Sequence, residues 1–107
     1  MLNPDEIYHQ LEKAGKDWAD KKAAANALER VSKSVLSDIL VSFMDSGLSR
    51  AESETRALAS SAYKSHLASV AAAEKAYLQA QVLWNNLQTL ADLRRSEEST
   101  RRAEMKL

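Results

Sequence analysis

Residues 61–93, SAYKSHLASVAAAEKAYLQAQVLWNNLQTLADL, decide how this chain folds. Tyr63, Val70, Tyr77, Trp84 and Ala91 fall seven residues apart, and Ala73, Ala80 and Leu87 stand three residues after three of them. A helix turns once every 3.6 residues, so such a repeat places all these side chains along one seam. The stretch holds no Gly or Pro. A long helix over about 61–104 is therefore predicted, with an apolar stripe that needs a partner.

Upstream, the same three-to-four spacing recurs through Ile7, Leu11, Ala14, Trp18, Ala25, Leu28, Val35, Ile39 and Phe43. Asn3-Pro4-Asp5-Glu6 reads as its start: Asn caps free N–H groups, Pro suits the first turn, and carboxylates favour the positive end of the helix dipole. One helix over about 4–45 follows. Gly15 costs about 1 kcal/mol relative to Ala inside a helix, yet well-patterned turns flank it, so it bends or is tolerated. Asp45-Ser46-Gly47 stops the pattern, because Gly adopts the left-handed conformation that closes a helix. Ser49-Arg50-Ala51-Glu52 has the capping-box spacing and opens a short helix over about 50–58, and Ser60 or Ser61 caps the next.

These elements predict an all-α single domain over 1–107, a long antiparallel helical hairpin of coiled-coil type with a short helix at the turn. The hairpin seam comprises Leu11, Trp18, Leu28, Val35, Ile39, Tyr63, Val70, Tyr77, Trp84 and Leu87. Small residues at Ala23–Ala25 and Ala73 and Ala80 allow close approach, with Tyr77 and Trp84 filling wider layers. Val31, Leu36, Leu40, Val41, Leu78, Leu83 and Leu90 remain outside a single two-helix seam. Self-association into a dimer or larger helical bundle is the expected cover, and binding of another protein by the same stripe is the competing one.

Composition excludes much else. Fifteen Lys and Arg balance fifteen Asp and Glu, with −2 over residues 1–53 and +2 over 54–107, so no global field draws nucleic acid or anionic membrane. The chain has no cysteine, which removes disulfides, thiolate zinc sites and cysteine nucleophiles. With only Gly15 and Gly47, neither glycine-rich phosphate loop can be written. Neither His9 nor His66 has a second His four residues away to share one helix face with it for a metal, and the serines lie on helix faces or caps without a nucleophile elbow. The reading is a non-enzyme with no cofactor and no metal. The N-terminus MLNPDEIYHQ does not read as a signal peptide, and apolar runs such as Val82–Trp84 fall far below the ~20 residues of a membrane span. A soluble cytoplasmic protein is expected.

The C-terminal segment is the most distinctive. Arg94-Arg95 and Arg101-Arg102 are doublets seven apart, which can align four guanidinium groups on one helix flank for phosphates or an acidic partner. Glu97 and Glu98 stand four residues before Arg101 and Arg102, so a solvated, self-paired helix end is the plainer reading. This segment, RRSEE-x-TRRAEM, together with SRAESETRALASSAYKSHL at 49–67, resembles a group of short phage- and prophage-encoded helical proteins. The resemblance covers the C-terminal half. It implies a viral or prophage origin and expression inside a bacterial host cell, and it carries over no functional residue. The expected role is an accessory protein acting on DNA replication or recombination through those arginines. The alternative is an inhibitor or adaptor that binds a host protein such as a defence component.

Overall fold

The computed structural model describes residues 3–106 and is all-α: α1 (Pro4–Arg30), α2 (Ser32–Asp45), α3 (Arg50–Ala59) and α4 (Ser61–Met105). The fold is an antiparallel helical hairpin with a short helix at the turn, as the heptad pattern predicts.

Local capping explains most of the boundaries. The Asn3 side chain accepts from the Glu6 N–H at 2.9 Å, and the Glu6 carboxylate accepts from the Asn3 N–H at 3.3 Å, a reciprocal box that opens α1. At the end of α2, the Gly47 N–H reaches the Met44 carbonyl at 3.0 Å and the Leu48 N–H reaches Phe43 at 3.4 Å. This is the Schellman arrangement, and Gly47 supplies its positive φ of 101°. Ser49, in extended backbone, accepts from the Glu52 N–H at 3.3 Å and starts α3. Ser60 then serves two helices. Its hydroxyl donates to the Ala57 carbonyl at 2.7 Å, and the same oxygen accepts from the Tyr63 N–H at 3.2 Å.

One boundary departs from the sequence expectation. Instead of a single helix over 4–45, the helix is interrupted at Val31, which has φ −85° and ψ −2°. The neighbouring Ser32 hydroxyl lies 3.4 Å from the Leu28 carbonyl and 2.8 Å from His66 Nε2. A Ser that bonds back to the i−4 carbonyl bends a helix, and here a second bond from a distant residue holds the hydroxyl in place.

Contacts divide the chain into two compact units, Met1–Lys21 with Tyr77–Leu107, and Lys22–Ala76. In the first, α1 and α4 run antiparallel: Tyr8 meets Arg95, while Gly15 and Trp18 meet Trp84. Its buried apolar residues are Ile7, Ala14, Ala80, Leu87 and Ala91. Trp18 and Trp84 stack with ring centroids 4.9 Å apart and an interplanar angle of 29°. Gly15 remains inside α1 because Trp84 occupies the space beside it: a Cβ on Gly15 would lie 3.0 Å from the indole Nε1. In the second unit, α3 packs on α2, Ser53 and Ala57 are fully buried, and Ala25 is 2% exposed.

Candidate functional site

Each of the ten seam residues is half-buried or buried. Leu11, Trp18, Leu28, Val35, Ile39, Tyr63, Val70, Tyr77 and Trp84 are half-buried, and Leu87 is buried. Trp18 and Trp84 are brought into direct contact. The deepest apolar positions, however, are mostly small: Ala14, Ala25, Ala57, Ala80 and Ala91 join Ile7 and Leu87. Alanine at the positions between the large seam residues is the signal for this, since backbones approach most closely where side chains are shortest.

The arginines do not form the four-membered flank that their spacing allows. Arg94 is largely covered, with a side chain 25% exposed, and lies 3.8 Å from Glu97. Arg95 turns the other way, onto α1. Its Nε donates to the Tyr8 hydroxyl at 3.2 Å, its guanidinium sits 5.7 Å from the Tyr8 ring centroid, and Asp92 lies 3.6 Å away. The Tyr8 hydroxyl holds the Arg95 pKa above its ordinary value, mainly through that hydrogen bond. Arg101 and Arg102 are exposed. The doublets divide because adjacent residues on a helix point about 100° apart: Arg94 continues the seam positions Ala80 and Leu87 and is the more covered of the two, while the more exposed Arg95 reaches Tyr8 from beside the seam. Glu97 is engaged by Arg94, in place of the expected i,i+4 pairing with Arg101.

His9 is exposed, whereas His66 is half-buried and bonded to Ser32. Among the described residues there is no group of three or more His, Cys, Asp or Glu able to hold a metal ion, and no helix long and apolar enough to cross a membrane. The concave space in the α2–α3 region is an open groove of about 240 Å³ lined by Leu36, Ser37, Leu40, Glu54 and Leu58.

Apolar surface is the most developed chemistry on offer. Leu78, Val82, Leu83 and Leu93 of α4 are 51–60% exposed, and Leu90 is 37% exposed. In the Lys22–Ala76 unit, Val41, Met44 and Leu58 are 40–55% exposed. Of the seven residues set aside above as lying outside a two-helix seam, Val31, Val41, Leu78, Leu83 and Leu90 are exposed, and Leu36 and Leu40 are half-buried in the groove. Compared with protein-family models, curated proteins and solved structures, the chain matches none.

Proposed function

We propose that this chain is a non-enzymatic helical interaction module that works as a homo-oligomer, in the setting of a phage or prophage accessory protein. One observation carries the oligomer. A folded monomer of 11.9 kDa exposes about 6000 Å². This chain exposes 7954 Å², with Ile7 and Leu87 the only buried apolar side chains larger than Ala among the described residues. The surplus of about 2000 Å² exceeds the roughly 800 Å² that each partner contributes to a standard interface. Burying apolar surface at about 25 cal/mol per Å² is the driving force that this thin core leaves unspent. Light scattering on the purified chain tests the reading: a mass of about twice 11.9 kDa or more supports it, and 11.9 kDa throughout the micromolar range refutes it.

A second reading, an adaptor or inhibitor of another protein, is favoured by the groove of Leu36, Leu40 and Leu58. A partner that co-purifies from a bacterial host after nuclease treatment and survives salt supports that reading. Loss of capture by a Leu40→Glu variant places the contact in the groove. Action on DNA, as an aid to replication or recombination, rests on Arg101 and Arg102, because Arg94 and Arg95 are engaged within the fold. Binding through these two arginines weakens steeply with salt, since phosphate contacts release counterions. Retained DNA binding by a doubly substituted Arg101→Ala and Arg102→Ala chain sinks that assignment.

A further inference from the structure

Within the exposed apolar surface of α4, Leu83, Asn86, Leu90 and Leu93 form a second stripe with three-four-three spacing. Leu83, Asn86 and Leu90 each precede a seam residue, Trp84, Leu87 and Ala91, by one position. The stripe is therefore the hairpin seam rotated by about 100° round the same helix, so it is available to a further helix while the first seam holds α1. Leu78 and Val82 extend it, and no residue from Leu78 to Ala91 is charged.

From this pattern we infer that the stripe is the contact between two copies of this chain, which pair antiparallel about a two-fold axis near Asn86 and Leu90. The inference rests on the oligomeric reading above and assigns its surface and orientation. An isologous contact must be self-complementary, and a three-four-three spacing reads the same in both directions. Leu83 of one copy then stands opposite Leu93 of the other, and Asn86 stands opposite Leu90. Net charge is zero, so two whole copies approach without mutual repulsion. The segment 94–106 has five basic and three acidic residues, net +2. Parallel pairing would stack two such segments side by side, whereas antiparallel pairing sends them to opposite ends.

The test uses the full chain. Sedimentation velocity on the wild type gives about twice 11.9 kDa, Leu90→Glu lowers that mass about twofold, and Leu67→Glu, at another exposed position of α4, leaves it unchanged. Far-UV circular dichroism establishes that Leu90→Glu keeps its helix content. A cysteine-free background adds a readout that does not depend on that variant folding. Under oxidation, a Leu83→Cys chain mixed with a Leu93→Cys chain forms a disulfide, and neither forms one alone. In the antiparallel register two copies of position 83 are about 15 Å apart along the axis, beyond disulfide reach. Self-linking of Leu83→Cys overturns the orientation. A wild-type dimer indifferent to Leu90→Glu overturns this surface while leaving the oligomeric reading in place. A monomeric wild type overturns both.

Discussion

Replacing Gly15 by Ala opposes two effects of similar size. In a helix interior the change gains about 1 kcal/mol in propensity. Against it stands the new Cβ, 3.0 Å from Trp84 Nε1 and 3.3 Å from its Cε2, and the indole is itself stacked on Trp18 at 4.9 Å. Overpacking of this kind costs about 1–3 kcal/mol. In the wild-type background Gly15→Ala is thus expected to destabilise by up to about 2 kcal/mol. A Trp84→Leu background removes the indole atoms that the Cβ meets, and there the same change should stabilise by about 1 kcal/mol. The coupling between the two positions, measured as a double-mutant cycle, is then about 1–3 kcal/mol. Urea denaturation followed by far-UV circular dichroism reads it, with all four proteins at one concentration because self-association adds to apparent stability. A gain of about 1 kcal/mol in both backgrounds would refute the role given to Trp84.

Ser49→Ala, which leaves the Glu52 N–H without its side-chain acceptor, should cost about 1 kcal/mol, and an unchanged urea midpoint would contradict the cap. Ser32→Ala removes the 2.8 Å bond to His66 and should cost about 0.5–1.5 kcal/mol, matched by His66→Ala and not added to by the double variant. Full additivity would show that the two residues act separately. Lys16, by hydrogen bond first and charge second, holds the Glu12 carboxyl below the usual glutamate range. A depressed carboxylate pKa stabilises the fold above the unfolded value and loses that contribution as pH falls through the folded value. NMR titration should place Glu12 below an unpaired glutamate and Lys16→Ala should return it; an unmoved titration in that variant counts against the pair.

The parts of the fold legible in the sequence are those decided within one or two turns. Asn3 with Glu6, Gly47, Ser49 with Glu52, and Ser60 each satisfy backbone groups three to five residues away, so residue type and spacing suffice to place them. The interruption at Val31 is different: no Gly or Pro marks it, and the bond that secures Ser32 comes from His66, 34 positions along the chain. Arg95 shows the same limit. Its heptad relation to Arg102 is visible in the sequence, but its bond to Tyr8 spans 87 positions, and that contact decides which arginines remain available to a partner. The large seam residues were readable by their period, whereas the depth of the alanines between them depends on how closely the helices approach.

The stack of Trp18 on Trp84 also divides the molecule spectroscopically. Both indoles belong to the unit Met1–Lys21 with Tyr77–Leu107, while Lys22–Ala76 holds Phe43 and Tyr63 and no tryptophan. Indole emission excited at the red edge is therefore a private reporter of one unit, whereas peptide dichroism averages over both. Superimposable melting curves from the two signals would mean that the whole chain unfolds as one cooperative body. Curves that separate would resolve two foldons without any added label, and would say which of them yields first.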